Sequence, residues 1–328
     1  LKLLDLSIDE AIERILQFPA VASKKFLITI GDRSITGMVA HQPMIGKWQE
    51  PVSDVAVTIS GFNTYKGEAY AIGEKSPLAL ISPAASARMA VAESLTNLVS
   101  ADIEDLSRVV LSANWMAAAG SNQEDQALYD AVFAVGKEFC PALGLVIPVG
   151  KDSLSMQTRW HEEGVEKSVV SPLTLIASAF APVKDVRLTK DPILRNNQGS
   201  RILLIHLGGN RLGGSALAQV YSQVGDESPD VENPGLFRQM LDFVVNSKRQ
   251  DFILSMHDRS DGGLLVSLLE MSFCSRCGLD IVVPHDKDLL SHLFNEEVGF
   301  VVQVVEESVS KFIKLCPVEC EELASVRA

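Results

Sequence analysis

The order of strand-like and helix-like segments is the sequence feature that most constrains the fold of this chain. Runs rich in β-branched residues, separated by Gly, Asn and Pro turns, predict strands, and an Ala-rich segment after Ser82-Pro83 predicts a helix. The first series comprises strands at 26–32, 54–60, 67–74, 108–113, 145–149 and 171–180 and helices at 83–100 and 123–139. This irregular order favours an α+β fold over a doubly wound parallel sheet.

A polar stretch, Thr189–Ser200, is the predicted linker to a second series. That series comprises strands at 201–207, 252–257, 279–283 and 298–305, helices from about Gly213, Pro234 and Gly263, and a final helix in the Glu- and Leu-rich C-terminal residues. Before both series, Ser7–Glu10 has the pattern of a capping box opening a connector helix to Gln17. Because the chain starts at Leu1 without Met, we expect a segment excised from a longer protein.

Charge and hydropathy exclude several classes of partner. The chain has 29 Lys+Arg against 42 Asp+Glu, a formal net charge of -13, and its basic residues are not clustered. Such a chain repels a nucleic-acid backbone, so we expect no nucleic-acid partner. No apolar run approaches the roughly 20 residues of a membrane helix, and the first residues, LKLLDLSIDE, lack the basic-then-apolar pattern of a signal peptide. We therefore expect a cytoplasmic protein with no membrane partner, whose carboxylates meet phosphates through Mg²⁺.

The five cysteines comprise Cys140 and two close pairs. Cys274 with Cys277, and Cys316 with Cys320, offer the four thiolates that a structural zinc site requires. Neither pair lies in a Gly-flanked knuckle, and a chain of this size needs no disulfides. Reduced thiols are the preferred interpretation.

The motif His257-Asp-Arg-Ser-Asp-Gly-Gly263 lies between a predicted strand and a predicted helix. Its glycines let a ligand approach the backbone, and the helix N-terminus offers unpaired N–H groups. Asp258 and Asp261 could hold a cation between the protein and a phosphate. On spacing alone, a strand-to-helix turn capped by Asp261 is the more common use of such a motif.

Glu93 and Asn97 are four residues apart on the Ala-rich helix and project from one face beside the small residues Ser86 and Ala90. Two oxygen ligands at this spacing make a metal half-site. A solvated polar stripe is the more common explanation. Asp54, which begins a predicted strand, is by itself an ordinary strand-edge carboxylate.

Two loops carry weaker signals. Gly208–Gly214 is glycine-rich after a strand but lacks the Gly-Lys-Ser/Thr ending of a P-loop, and a tight turn explains it. Val149–Ser153 could face a phosphate, and a surface turn explains it equally well. The chain has no Gly-x-Ser-x-Gly elbow, and Cys140 lacks flanking glycines, which argues against a nucleophile-based hydrolase.

Several blocks taken together resemble one family, the large, single-chain phosphoribosylformylglycinamidine synthases, in the second half of their synthetase region. The blocks are GEAYAIGEKSPLAL (67–80), AASARMAVAESLTNLV (84–99), LSANWMAAAG (111–120), IPVGKDSLSM (147–156), HDRSDGGLL (257–265) and LFNEEVG (293–299), with a further block at 31–39. The resemblance runs from about Lys24 to the end of the chain. Selenophosphate synthetase and thiamine-monophosphate kinase explain these blocks less well.

The resemblance implies an aminoimidazole-ribonucleotide-synthetase-like α+β fold made of an A-type subdomain followed by a B-type subdomain. The implied boundaries are a connector helix at 1–23, the A-type subdomain at 24–197 and the B-type subdomain at 198–328. It further implies Mg²⁺ and ATP or ADP as cofactors. Matching block by block places Mg²⁺ ligands at Asp54, Glu93, Asn97 and Asp258, and nucleotide contacts at Ser53, Ser260 and Lys24, with Lys25 the alternative to Lys24.

The family reaction implied by the resemblance is ATP-dependent amidation of formylglycinamide ribonucleotide, with ammonia supplied from glutamine. The first synthetase half and the glutaminase domain would be partners outside this sequence, so we expect the isolated segment to be inactive. The site retained here resembles an auxiliary nucleotide site, and a non-catalytic Mg-nucleotide-binding scaffold is the alternative. Because A-type sheets pair across a two-fold axis in this superfamily, we also expect a homodimer of the isolated segment.

Overall fold

The computed structural model describes residues 6–34, 37–121, 123–197, 199–282 and 288–327. The helices are α1 (Ile8–Gln17), α2 (Lys25–Ile30), α3 (Pro83–Leu98), α4 (Glu124–Phe133), α5 (Cys140–Leu143), α6 (Ala216–Val220), α7 (Pro234–Arg249), α8 (Gly263–Ser275), α9 (Leu289–Phe294) and α10 (Val309–Leu315). The strands are β1 (Val39–His41), β2 (Ala56–Ile59), β3 (Gly67–Glu74), β4 (Val110–Met116), β5 (Val149–Ser153), β6 (Gln157–Glu162), β7 (Val165–Val170), β8 (Thr174–Val183), β9 (Arg201–His206), β10 (Ile253–Asp258), β11 (Gly278–Ile281), β12 (Gly299–Val304) and β13 (Glu319–Arg327). None of the helices in these ranges has the length and apolarity needed to cross a bilayer.

The first sheet has the strand order β1-β2-β3-β8-β4-β5. Its neighbours run antiparallel except β4 and β5, which are parallel. Along β3 buried and exposed residues alternate, so one face of the sheet packs against helices and the other is open. A Cβ at Gly73 would lie 2.0 Å from the carbonyl oxygen of Ala90, so this glycine allows α3 to pack closely on β3.

The second sheet has the order β10-β12-β9-β13-β11, with all neighbours antiparallel. Every residue of β12 is buried, which shows that both faces are covered. Leu203 and Ile205 belong to the same hydrophobic cluster as the apolar residues of α7, whereas Ile202 and Leu204 pack with those of α8. The two sheets with their covering helices confirm the predicted α+β class.

Helix α7 also joins the second sheet to the first. The hydrophobic cluster that contains its apolar face extends into the residues that α3 covers on the first sheet. At its C-terminal end, buried Lys248 donates hydrogen bonds to the carbonyl oxygens of Val99 and Ala101, just after α3. Arg249 donates to the carbonyl oxygen of Ile103 at 2.6 Å. These contacts attach the C-terminal end of α7 to the segment that follows α3.

Three sequence predictions of local structure were wrong. The run 26–32 forms α2, in which Ile28 N donates to Lys24 O, rather than a strand. The C-terminal residues form β13, which pairs with β9 and β11, because a place between two strands outweighs the helix propensity of Glu and Leu. The strand expected at 145–149 begins only at Val149.

Other differences from the sequence predictions concern a hairpin, a helix cap and the ends of helices and strands. The hairpin of β6 and β7 was not predicted, and these strands pair only with each other among the described residues. Ser7 precedes α1 without a side-chain capping bond, so the capping box does not form. A π-helical turn, 134–139, replaces the end of the helix expected at 123–139. The strand predicted at 279–283 forms as β11, and residue 283 lies outside the described residues.

The cysteine pairs lie at opposite ends of β13. Cys320 is opposite Ile205, whereas Cys277 directly precedes Gly278, which is opposite Arg327 at the other end of the strand. All five cysteines are free thiols. The two pairs therefore do not form one four-thiolate zinc site.

Candidate functional site

A cavity of about 340 Å³ lies between α3, the segment before β2, and the end of β10 with the loop that follows it. It is lined by six of the seven residues predicted for the site, namely Ser53, Asp54, Glu93, Asn97, Asp258 and Ser260. These residues are widely separated in sequence and come from the segment before β2, from α3, and from the end of β10 and the loop after it. The fold thus brings together the four oxygen-bearing side chains expected around a metal ion.

Helix α3 supplies two of these side chains from one face. The backbone N–H of Glu74 donates to Glu93 Oε2 at 2.7 Å, which fixes the carboxylate toward the end of β3. Asn97 Nδ2 donates to the carbonyl oxygen of Ile72 at 3.2 Å. Asn97 Oδ1 is buried and has no hydrogen-bond partner among the described residues. A buried amide oxygen in this state is an acceptor that a ligand can satisfy.

The opposite wall holds Asp54, His257 and Asp258, whose ligand atoms lie within 4.8 Å of one another. His257 Nδ1 is 2.6 Å from Asp54 Oδ1, and its Nε2 is 2.9 Å from Glu270 Oε2. Burial opposes the charge on this imidazole, but Asp54 and Glu270 outweigh it and raise the pKa of His257 well above its usual value. Because carboxylates engage both of its ring nitrogens, His257 orients Asp54 and offers no free nitrogen to a metal ion.

The positive charge near the buried carboxylates of the cavity does not fully offset their desolvation and mutual repulsion. Burial, followed by repulsion from Asp54, raises the pKa of Asp258 well above its usual value. Burial likewise raises the pKa of Glu93, although Lys75 acts in the opposite direction. Carboxylate and amide oxygens are the donors that Mg²⁺ and Ca²⁺ prefer. The donor set and the unsatisfied Asn97 Oδ1 both fit a hard divalent cation.

Lys24 lies beside this cavity rather than in it. It lines an adjoining chamber of about 450 Å³, whose apolar wall includes Leu16, Val21, Val266 and Phe273. Lys24 Nζ donates to the carbonyl oxygens of Ala20 at 2.9 Å and Ala22 at 2.6 Å. Lys25 instead donates to the carbonyl oxygen of Trp48. Of the two adjacent lysines, Lys24 is the one that lines the chamber next to the carboxylates.

The loop after His257 contains two glycines that let its backbone approach neighbouring backbone closely. Gly262 and Gly263 have φ of 87° and 75°, and a Cβ at Gly263 would lie 2.6 Å from the backbone of Phe294. Asp261 does not cap α8, because Gly262 occupies the N-cap without a side-chain bond. The simple capped-turn explanation of the motif is therefore wrong.

Sequence reasoning missed several charged residues in and around the cavity, among them Lys75, Glu296 and Glu297. Glu296 accepts hydrogen bonds from the backbone N–H groups of Gly262 and Ala216, each at 2.8 Å. Burial, with Asp261 nearby, raises the pKa of Glu296 to about 7. The LFNEEVG and GEAYAIGEKSPLAL blocks contain these residues, but nothing in their spacing indicates that the charges are buried.

Glu297 explains the glycine-rich loop Gly208–Gly214. Its Oε1 accepts from Arg211 Nε at 2.7 Å and from the backbone N–H of Gly209 at 3.1 Å. The loop is thus held on a buried carboxylate, which agrees with a structural turn. The segment Val149–Ser153, the other weak candidate, is the edge strand β5 and does not line the cavity.

Comparison with known families agrees with this architecture. A model described as the FGAR-AT PurM_N-like domain matches residues 23–182, and one described as the AIR synthase related protein, C-terminal domain, matches residues 199–326. The chain belongs to the FGAR-AT family of PurM-like proteins. The predicted family and fold are confirmed.

Solved structures of other proteins show a similar fold. The chain is similar to Thermotoga maritima PurL complexed with FGAR, with a TM-score of 0.70 at 11% identity, covering 98% of this chain and 50% of that one. The ATP complex of the same protein gives 0.60 at 14%, covering 87% and 43%. Escherichia coli HypE, a hydrogenase maturation protein, gives 0.55 at 13%, covering 79% of each. The chain spans about half the length of these PurL chains.

Proposed function

We propose that this chain is a segment of phosphoribosylformylglycinamidine synthase and that its cavity binds a Mg-nucleotide. The observation that carries the proposal is the convergence of Asp54, Glu93, Asn97 Oδ1 and Asp258 on one cavity in a member of the FGAR-AT family. These side chains would hold Mg²⁺, which would neutralise the phosphates of the nucleotide. A chain with a net charge of -13 needs such a cation to accept a polyphosphate.

The two adjoining chambers suggest how a nucleotide lies. Phosphates would occupy the carboxylate-lined cavity, where the hydroxyl group of Ser260 would donate a hydrogen bond. The hydroxyl group of Ser53 also lines this cavity and donates to the carbonyl oxygen of Val55 at 2.9 Å. The base would enter the apolar chamber, against Val266 and Phe273, with Lys24 at its edge. Ala20, Val21 and Glu270 line both chambers, so one ligand can reach from one to the other.

The ligase reaction itself would require more than this segment. In the proposed whole enzyme, ATP activates the formamide oxygen of formylglycinamide ribonucleotide and ammonia from glutamine displaces phosphate. Carboxylates already engage both ring nitrogens of His257, so this histidine is not free to exchange a proton with a substrate. The residues of this chain would therefore contribute binding and orientation. This engagement favours an auxiliary, non-catalytic nucleotide site, and we expect the isolated segment to show no turnover. We also expect a cytoplasmic protein, since its thiols are all free.

Calorimetric titration of Mg-ADP and Mg-ATP into the purified chain tests the site directly. We expect binding by the wild type, and a loss of at least about tenfold in affinity for Glu93→Ala and Asp258→Ala, which each remove a ligand. Glu68→Ala is the control, because Glu68 is an exposed carboxylate on the same strand as Glu74. If the wild type bound neither nucleotide, the site assignment would be wrong and the family assignment would stand.

The same two variants in the full-length enzyme distinguish a catalytic role from a scaffold. A scaffold site predicts that Glu93→Ala and Asp258→Ala lower thermal stability before they lower turnover, because ligand binding stabilises the folded state by mass action. At 100 times the dissociation constant this stabilisation is about 2.7 kcal/mol. Reduced turnover at unchanged thermal stability would instead show that the site takes part in catalysis.

A further inference from the structure

Lys75 is a buried cation placed between elements of the two sheets. It follows β3 directly, and its side chain is only 5% exposed. Its Nζ lies 3.0 Å from Glu93 Oε1 on α3 and 2.5 Å from Asp261 Oδ1 in the loop before α8. One ammonium group thus contacts a predicted metal ligand on one side of the cavity and the ligand-bearing loop on the other.

The position of Lys75 is fixed at both ends. Its carbonyl oxygen accepts a hydrogen bond from the buried hydroxyl of Ser86 at 2.7 Å, two turns before Glu93 on α3. Its ammonium group is surrounded by carboxylates. Burial opposes its charge, but Asp261, Glu93 and Glu296 outweigh that effect and raise the pKa of Lys75 well above its usual value. A buried cation with several hydrogen-bonded counter-charges is held in one geometry.

Lys75 also lines a smaller cavity of about 170 Å³, together with Asp261, Glu296 and Gln219. Asp261 and Glu74 line both this space and the carboxylate cavity. The pair formed by Lys75 and Asp261 therefore stands where the two spaces meet. Through the contact of Lys75 with Glu93, this pair links the loop that carries Asp258 and Ser260 to α3.

We propose that Lys75 is a positioning residue that ties Glu93 to Asp261 and so sets the distance between the α3 ligands and the Asp258 loop. The inference rests on the proposed Mg-nucleotide site. It adds a second contact between elements of the two sheets, beside the one that Asp54 makes with His257. Its effect is on the geometry of the ligand set, and Lys75 itself does not bind the metal ion.

A simpler role makes the opposite prediction. If Lys75 only balanced excess negative charge, it would repel a divalent cation bound nearby, and removing it would strengthen metal binding. If Lys75 positions Glu93 and the loop, removing it weakens metal binding. The sign of the change in Mg-nucleotide affinity therefore separates the two roles.

The test is a double-mutant cycle of Lys75→Met and Asp261→Asn, measured by calorimetric titration of Mg-ADP and, separately, of Mn²⁺ alone. We expect each single variant to bind about tenfold to a hundredfold more weakly, as loss of an outer-shell partner does. We expect the double variant to be no weaker than Lys75→Met, because both substitutions break the same contact. Lys66→Met, an exposed lysine just before β3, is the control.

Near-UV circular dichroism shows whether each variant is folded. The side chain of Asp261 is 45% exposed, so we expect Asp261→Asn to fold and to provide the test even if Lys75→Met does not fold. Stronger binding by Lys75→Met, unchanged binding by Asp261→Asn, or additive losses in the double variant would each overturn the proposal while leaving the nucleotide site in place. A wild-type chain that bound neither Mg-ADP nor Mn²⁺ would overturn the nucleotide site, and the positioning role with it.

Discussion

The two sheets of this molecule differ in how they are covered. In the second sheet, α7 and α8 lie on opposite faces, and every residue of β12 is buried. In the first sheet α3 covers one face, and the other exposes Tyr70 and Phe180, whose ring centroids are 5.0 Å apart. The second sheet is complete within this chain. The first has an apolar face of the kind that marks an interaction site.

The open face is continuous across several strands. Phe180 on β8 is opposite Tyr70 on β3 and Val110 on β4, and a groove of about 540 Å³ lies over this region. Sheets that leave an apolar face uncovered normally pack against another layer. We propose that a second PurM-like A-type sheet covers it, either a second copy of this chain or the other half of a longer enzyme.

The difference in coverage between the two sheets predicts its largest effect on the free energy of unfolding, when one phenylalanine on each sheet is replaced by alanine. Phe300 on β12 is fully buried, so Phe300→Ala should lower the free energy of unfolding by about 3–5 kcal/mol. Phe180→Ala, on the open face, should lower it by less than about 1 kcal/mol in the monomer. Urea unfolding of both variants measures the difference. Equal losses would mean that the open face is buried in solution.

The helix that joins the sheets predicts a smaller effect, on pH dependence. Burial lowers the pKa of Lys248 from 10.5 to about 7, although Asp102 acts in the opposite direction. Between these values the unfolded chain binds more protons than the folded one, so the free energy of unfolding should rise with pH. The slope contributed by this one group is at most about 1.4 kcal/mol per pH unit.

Lys248→Met should remove that slope, whereas Lys314→Met, an exposed lysine on α10, should keep it. Urea unfolding at several pH values between 7 and 10 measures both. A slope that is the same in the wild type and in Lys248→Met would show that Lys248 stays protonated at its carbonyl partners throughout this range. In that case the contact between α7 and the end of α3 would not respond to pH.

Self-association tests what covers the open face. We expect a dimeric mass by light scattering at micromolar concentration, and a monomeric mass for Phe180→Lys, because the substitution places a charge in the apolar interface. The stability of the monomer should change by no more than about 0.5 kcal/mol. Tyr129→Lys on α4, an exposed aromatic residue away from the sheet face, is the control and should remain dimeric. A monomeric wild type would contradict self-pairing.

The smallest effect is expected in the hairpin of β6 and β7, which extends from the first sheet. Trp160 is 40% exposed, and its strand pairs with β7 alone among the described strands. Trp160→Ala should therefore change the free energy of unfolding by no more than about 0.5 kcal/mol. Urea unfolding in the monomer measures this change. A loss comparable to that of Phe300→Ala would show that the hairpin packs against the body of the protein.

Sequence reasoning predicted the central elements of both sheets because their patterns are local. The alternating run GEAYAIGE gave β3 with its observed ends, and Ser82 caps α3 through its side chain as expected. Spacing alone offered Glu93 with Asn97, and Asp258, as possible metal ligands, but only the family resemblance selected the four predicted ligands together. Their individual spacings favoured surface polar residues, and convergence on one cavity is a property of the folded chain.

The wrong predictions have physical causes that lie outside each segment. Residues 26–32 have strand-like composition, but no described strand pairs with them, and the segment satisfies its backbone as a single helix. The C-terminal residues have helix-like composition, but they complete a ladder between β9 and β11. Lys75 and Glu296 were missed because burial of a charge depends on counter-charges from distant segments.

The close contact at Gly263 has a consequence for how the molecule responds to a ligand. The backbone at Gly263 packs directly against that of Phe294 and Asn295, with no room for a methyl group. The start of α8 and the turn after α9 are therefore in direct backbone contact. Asp258 and Ser260 stand just before this contact, and Glu296 and Glu297 just after it. We expect a displacement of the loop that carries Asp258 to move Glu297 as well, whose carboxylate accepts hydrogen bonds from Gly209 and Arg211 in the glycine-rich loop.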